Sequence, residues 1–562
     1  MDECAKHFPE VLPWVNFCYK AHPMLWHATG TFLSAAGVQQ GDPLGPLIFS
    51  IALHRLVLEL DEIEGLLLNM WYLDDGVLCG TRSAIRECLD IIQRAAMWSG
   101  LEINLRKCEI FSRLDMSSFP DEIKKFRLPD LEILGAPIGS DEFCRSFVIG
   151  KSNAAEKLLN ELPRLEDPQI AVSLLRQCGS FCKLAHLARC CPPEQTQEML
   201  GRYDDSVLRC FEEATATELS ENARKQAQLG LTNGGIGLRS LKLHAPAAYI
   251  SSVISSGATG ELEFSIHAYN DTVAESDRLQ ASEGTALQDR CKRQSALSAA
   301  IETKCLRDML EGAESSAERV RLLEVSSPNS SKWLTAIPSP GLGLRLEPEE
   351  IQVLMKHRLG LPLSPPGATC PMCPSKSLDP RGHHALTCKR GPDVVSRHNT
   401  IRNTVFNSAR IAMMSPVLEQ GANLDHAGSL TRPADILVPV WSIGKAGAID
   451  VTVAHPLNPL YIDGASATAG YCLDAAEQRK HDENDTKCRE LRWECLPLAV
   501  TPYGSWGKEG TKTLKKIANR LAIQTRRTAS QAQHELFTRL SIVLARCTAR
   551  AILARTPNVS WQ

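Results

Sequence analysis

The feature that most constrains this chain is a pair of adjacent carboxylates set between two apolar runs. Leu66 to Tyr72 is apolar except for Asn69, Asp74-Asp75-Gly76 breaks the run, and Val77-Leu78-Cys79 resumes it. Asp-Gly between apolar runs is a hairpin signal, so two antiparallel strands are expected with Asp-Gly at the turn. Neighbouring carboxylates at such a tip repel each other, and a half-buried pair calls for a cation. Hard divalent ions such as Mg²⁺ or Mn²⁺ take carboxylate oxygens and phosphates together. Two ions held this way can activate a 3′-hydroxyl and stabilise a leaving pyrophosphate. An isolated Asp-Asp-Gly is usually a solvated turn, so the flanking sequence decides its meaning.

About thirty residues upstream lies Gly37-Val-Gln-Gln-Gly-Asp-Pro-Leu-Gly-Pro-Leu-Ile-Phe-Ser50. Asp42 is expected to cap a helix that Pro43 begins. Leu47, Ile48, Ile51, Leu56, Val57 and Leu60 would form its buried face. Gly41 and Gly45 leave room for close approach of backbone or nucleotide. This segment followed by Tyr72-Leu-Asp-Asp-Gly76 resembles the palm of reverse transcriptases, specifically those of non-LTR retrotransposons. Gly100-Leu-Glu-Ile-Asn-Leu-Arg-Lys107 and Leu134-Gly-Ala-Pro-Ile-Gly139 resemble the next palm motifs, in the same order. The resemblance implies that Asp74 and Asp75 bind metal, and that Gln40 and Gly41 meet template and nucleotide. It implies further that Lys107 attends the phosphates as a general acid and that Tyr72 lines the palm near the primer end. It also implies another metal-binding aspartate on a strand ahead of the Gln-Gly loop. Asp2 is the sole aspartate before Asp42, and no apolar strand presents it. The opening segment resembles the helix after that first motif. The expectation is an N-terminally truncated polymerase, without fingers and impaired in synthesis.

A second chemistry follows a Pro-rich boundary. Cys370-Pro-Met-Cys373 precedes His383, His384 and Cys388. Two thiolates two residues apart grip one ion from a tight turn, and a later His and Cys complete a tetrahedron around Zn²⁺. The spacing leaves His383 and His384 as equal candidates. Unrelated buried cysteines are the plain alternative in a chain with 20 of them. His398, at the start of the next helix, reads as structural.

Thr431-Arg-Pro-Ala-Asp435-Ile-Leu-Val-Pro439 reads as a strand with an acid at its start, and Ala448-Ile-Asp450-Val-Thr-Val453 as a second. A hairpin would bring Asp435 and Asp450 together, and the helical segment beyond offers Lys480 and Lys487. Two carboxylates and a lysine suffice for metal-assisted phosphodiester cleavage. After a Cys/Cys/His/Cys cluster, this set resembles the restriction-like endonuclease of early-branching, site-specific non-LTR retrotransposons. In that family an acid-x-Lys strand is usual. Here it reads Asp450-Val-Thr452, so the lysine must come from the helix, with Lys480 preferred over Lys487. Glu419, expected on the preceding helix, is a further candidate ligand for Mg²⁺.

The expected fold is α+β multidomain. It comprises a partial palm (1–145), a helical thumb-like region (146–255), a helical linker (256–345) and a zinc module (346–398). A restriction-like α/β nuclease (399–510) and a basic helical tail (511–562) complete it. The implied partners are RNA template, target DNA and dNTPs. The net charge of −3 does not advertise a polyanion binder, but Thr511 to Gln562 carries ten Lys/Arg against one acid, Glu535. The best apolar run, Pro46 to Leu60, is too short for a membrane span and is interrupted by His54 and Arg55. Met-Asp-Glu-Cys does not begin a signal peptide, so a nuclear or cytoplasmic, reducing compartment is expected. Gly234, Gly235 and Gly237 lack the Lys-Ser/Thr of a phosphate loop. The rival readings are a catalytically dead zinc-dependent nucleic-acid-binding protein and a decayed fragment.

Overall fold

The computed structural model describes residues 2–35, 37–257, 262–280, 289–374, 376–419 and 434–556. It divides into two compact units, Met1–Cys144 and Arg145–Gln562, with the division beside the expected end of the palm.

In the first unit, helix α1 (Gly45–Asp61) precedes strands β1 (Leu66–Tyr72) and β2 (Asp75–Gly80), and helix α2 (Arg82–Ser99) follows. Thr81 caps α2 by accepting from the Ala84 N–H, and Gly100 closes it at φ 69°. Ala84, Cys88, Ile91 and Ala95 recur at helical spacing and meet Leu53, Leu56 and Leu60 of α1. Each fully buried Leu or Ile contributes about 1.5–3 kcal/mol.

The β1–β2 hairpin departs from the expected turn. Tyr72 pairs with Asp75 and Trp71 with Gly76, so Leu73-Asp74 is the two-residue loop and Asp75-Gly76 is strand. Leu73 takes the left-handed turn conformation at φ 57°. Gly76 serves a different need: a Cβ there would lie 2.7 Å from the Trp71 ring. That ring cannot easily yield, because its Nε1–H donates to Asn69 Oδ1 at 2.7 Å. Asn69 Nδ2 in turn donates to the Val57 carbonyl at 2.9 Å and to Asp61 at 2.8 Å, so the polar residue that interrupts the apolar run ties β1 to α1. Gly76→Ala is therefore expected to cost about 1–3 kcal/mol, by overpacking. Thermal unfolding of the two chains measures it, and an unchanged midpoint would contradict the packing argument.

In the second unit, helix α3 (Asp393–Ile411) leads to a four-stranded sheet of β3 (Val417–Leu418), β4 (Ile436–Ser442), β5 (Lys445–Val453) and β6 (Trp493–Val500). Helix α4 (Tyr471–Glu490) carries the chain from β5 to β6. Helices α5 (Lys508–Thr525) and α6 (Ala529–Leu553) follow. The sheet order is β6-β5-β4-β3, with β5 parallel to β6 and the other pairs antiparallel.

The segment expected as a linker is instead packed: Ile266, Tyr269, Leu279 and Ile301 bury against Ile250. The expected tail is likewise structural. Leu536, Phe537, Leu540 and Leu544 of α6 pack with the sheet, while Ile542, Ala549 and Ile552 join the helical core. An apolar helix surface this wide must be covered on two sides. Several of its basic residues are internal ties. Arg550 reaches Glu350 at 2.6 Å, Arg555 reaches Asp393 at 2.7 Å, and Arg546 donates to the carbonyls of Gly343 and Arg345. The Gly234-Gly235 turn is a packing device, since a Cβ on Gly235 would lie 2.0 Å from the Leu229 carbonyl oxygen. Among the described residues no helix is long and apolar enough to cross a membrane.

Candidate active sites and metal-ligand cluster

In the first unit, Asp74 occupies the hairpin loop and Asp75 opens β2 opposite Tyr72; all three are exposed. Among the described residues, no third His, Cys, Asp or Glu joins these two carboxylates within the reach of one ion. Gln40 and Gly41 lie on an exposed loop, with Gly41 at φ 92°. The Tyr19 hydroxyl and the Leu44 N–H both donate to Asp42 and hold its carboxyl below the ordinary value. Asp42 thus shapes the loop and does not cap α1, which begins at Gly45 with Leu44 as an uncapped N-cap. Lys107 ends the short 3-10 helix Leu105–Lys107, exposed, and forms no ion pair with Asp74 or Asp75.

In the second unit the acids expected on a hairpin meet. Asp435 stands just before β4, with its N–H on the Ile449 carbonyl at 3.0 Å and its Oδ2 accepting from the Val451 N–H at 2.7 Å. This tether aims the Asp435 side chain across β5 into hydrogen-bonding contact with Asp450. Asp450 is only 9% exposed. Its Oδ2 accepts from Lys480 Nζ at 3.1 Å and from Asn484 Nδ2 at 2.9 Å, both on α4. Burial first, and then the Asp450 charge, pushes the Asp435 carboxyl up to about 6, against the opposing Val451 N–H and Arg402. Burial alone would lower the Lys480 ammonium; Asp450 and Glu483 outweigh it and raise it. Two carboxylates crowded closely enough that the pKa of one is raised form a donor set that suits a hard divalent cation.

Lys487 is exposed and pairs with neither acid. Glu419 is not helical, because α3 ends at Ile411; Glu419 follows β3 at φ 47°. Its N–H donates to the Asp435 carbonyl at 2.9 Å, while its carboxylate is paired with Arg402. The segment 431–433 lies outside the described residues.

His398, taken as structural from its position, faces this site. Its Nε2 lies 3.2 Å from Asp435 Oδ2, off the direction of a hydrogen bond. Burial first, then Arg402, holds it below its ordinary value. The available signal was His398 and Arg402 at i,i+4, beside the buried Ile401 and Val405 of the same helix. Asn484 was also missed; it lies one helical turn beyond Lys480.

The cysteine cluster closes around one histidine. Donor atoms of Cys370, Cys373, His384 and Cys388 all lie within 4.8 Å of one another. Cys373 Sγ is 3.1 Å from His384 Nε2 and 3.5 Å from Cys388 Sγ. Three sulfurs and an imidazole in a loop stapled at both ends fit Zn²⁺. The Asp379 carboxylate anchors this turn, accepting the N–H groups of His383 at 2.9 Å and His384 at 2.7 Å. This starts the one-turn helix His383–Thr387 and leaves His383 outside the cluster, its ring edge-on to His455 at 6.0 Å.

Residues 3–138 match the family model described as reverse transcriptase (RNA-dependent DNA polymerase). The chain is also similar to the retrotransposable element SLACS 132 kDa protein of Trypanosoma brucei gambiense. The two are 23% identical over 221 residues, 39% of this chain and 18% of that protein. The chain thus spans less than a fifth of the curated relative it matches. Residues 3–138 are thus similar to a reverse-transcriptase domain, and part of the chain is similar to part of a retrotransposable-element protein.

Proposed function

We propose that this chain serves retrotransposon insertion, coupling RNA-templated DNA synthesis to a metal-dependent cut in target DNA. For the synthetic half, Asp74 and Asp75 would hold Mg²⁺ or Mn²⁺ at the hairpin, with Gln40, Gly41 and Tyr72 meeting template, dNTP and primer. Primer extension on an RNA template tests this role. Extension is expected to be weak, since among the described residues no third carboxylate joins this pair, and Asp75→Ala should abolish what remains; equal extension by the two chains would reject the role.

The observation that carries the cutting half is the contact of Asp435 with Asp450, whose Oδ2 lies 3.1 Å from Lys480 Nζ. A hard divalent ion held there would supply water activation and charge neutralisation. The chain's own groups divide the remaining work. Asp435 and Asp450 hold the ion, Asn484 orients Asp450, and Lys480 offsets the charge that develops on the phosphate. Bound Zn²⁺ at Cys370, Cys373, His384 and Cys388 would staple the loop ahead of α3, the helix that presents His398 to Asp435.

Nicking of supercoiled plasmid with Mg²⁺ tests the assignment. Lys480→Ala should lose activity on the order of 10²-fold or more, with Lys487→Ala close to the parent. Equal loss in both variants, or in neither, would reject Lys480.

A further inference from the structure

A second group of soft and borderline donors lies where α4 meets β6, next to Lys480. His481, Asp485 and Cys495 bring donor atoms within 4.8 Å of one another, with His481 Nδ1 2.8 Å from Asp485 Oδ1. His481 and Asp485 are one helical turn apart on one face, and Cys495 comes from β6. Cys488 lies on the next turn of that face, outside the group of three. The two cysteines are buried, at 1% and 9% exposure.

We propose that His481, Asp485 and Cys495 form a second structural site for a thiophilic divalent cation of the Zn²⁺ class. Ligand chemistry and outer partners both favour this class. A set of sulfur, imidazole and one carboxylate selects Zn²⁺-like ions over Mg²⁺ or Ca²⁺. His481 also has the arrangement that metal-binding imidazoles require. Its Nδ1 faces the donor group, while Nε2 lies 3.0 Å from Glu509 Oε2 on α5, a carboxylate placed to accept its proton and fix the tautomer. The ion would tie α4 to β6 and, through Glu509, to the start of α5. The same helix presents Lys480 and Asn484 to Asp450, and Cys495 Sγ lies 3.9 Å from the Lys480 carbonyl. The site therefore holds the register of the helix that delivers the lysine. It is independent of whether Asp435 and Asp450 cut DNA.

The test is ¹¹³Cd NMR and zinc content of the full chain, with and without His481→Ala or Cys495→Ser. One resonance and one equivalent of zinc are expected to vanish in each variant, whereas Cys373→Ser leaves that resonance in place. Both variants are checked for folding by circular dichroism. Should they fail to fold, the parent spectrum decides: a resonance upfield of the three-sulfur position, as fewer sulfur ligands require, supports the site. Survival of every resonance and of the full zinc content in the folded variants overturns it. So does a single three-sulfur resonance in the parent, or a Cys488–Cys495 disulfide in fully metal-loaded protein. A metal-free His481 cation bridging Asp485 and Glu509 would give the first of these results.

Discussion

Asp450→Ala is expected to reduce Mg²⁺-dependent nicking on the order of 10³-fold, with DNA binding nearly unchanged. The size follows from how much converges on one side chain. Asp450 is buried, contacts Asp435, and accepts from both Lys480 and Asn484. Alanine would remove a proposed metal ligand and free Lys480 together. The same geometry sets an acid limit. A carboxyl raised to about 6 is protonated below that pH and binds metal poorly, so nicking should climb as pH rises through about 6 at limiting Mg²⁺. Saturating Mg²⁺ should move the rise to lower pH. Nicking rates over a pH series at two Mg²⁺ concentrations measure this. An Asp450→Ala chain that cuts like the parent would remove the site from the chemistry.

The second large effect concerns stability in acid. His357 is buried, stacked on Tyr503 with ring centroids 4.5 Å apart, and its Nε2 has no hydrogen-bond partner. Burial, then the charges of His383 and Arg321, pushes its pKa down to about 3. A histidine whose folded pKa is lowered leaves stability intact above the unfolded value of about 6.5. The loss grows as pH falls from there toward the folded value, because the unfolded chain binds the proton first. This amounts to about 2 kcal/mol at pH 5 and about 3 kcal/mol at pH 4. His357→Phe keeps the ring and removes the titration, so its stability relative to the parent should rise by those amounts between pH 8 and pH 4. The raised carboxyls Asp204 and Asp435 act in the opposite direction, but they are common to both chains and cancel. Urea unfolding of both proteins at pH 8, 5 and 4 measures the difference, and a constant difference across pH would refute the account.

What could be read from the sequence was local. Adjacent acids between apolar runs mark a hairpin because strand and turn preferences act over a few residues. The exact turn was not legible, since the glycine is demanded by a cross-strand tryptophan ring and not by backbone conformation. Asp435 and Asp450 were legible as strand acids about one hairpin apart. Glu419 was misplaced on a helix although Pro416, three residues ahead of it, signals that α3 has ended. The zinc-type cluster could be recognised, but its histidine could not. Neighbouring residues on one helical turn point about 100° apart, and which one turns toward the sulfurs depends on how the turn is anchored, here by the Asp379 carboxylate. His398 went unrecognised as a site residue because its partner, Asp435, is distant in sequence and close only through packing of α3 on the sheet.

The parallel pairing of β5 with β6 has a consequence for how such sites diverge. Parallel neighbours need a long return path, and here that path is the helix that carries the lysine. The cation's address is therefore a helix face and not a count from the acid. Position 484 already reaches the same carboxylate oxygen as position 480. A lysine could migrate between these turns by two substitutions while its charge stays in place. Chains descended from one ancestor could then share the constellation in space without sharing its spacing. A search that fixes the interval between acid and lysine would overlook them, whereas one that asks for the face of the crossover helix would not.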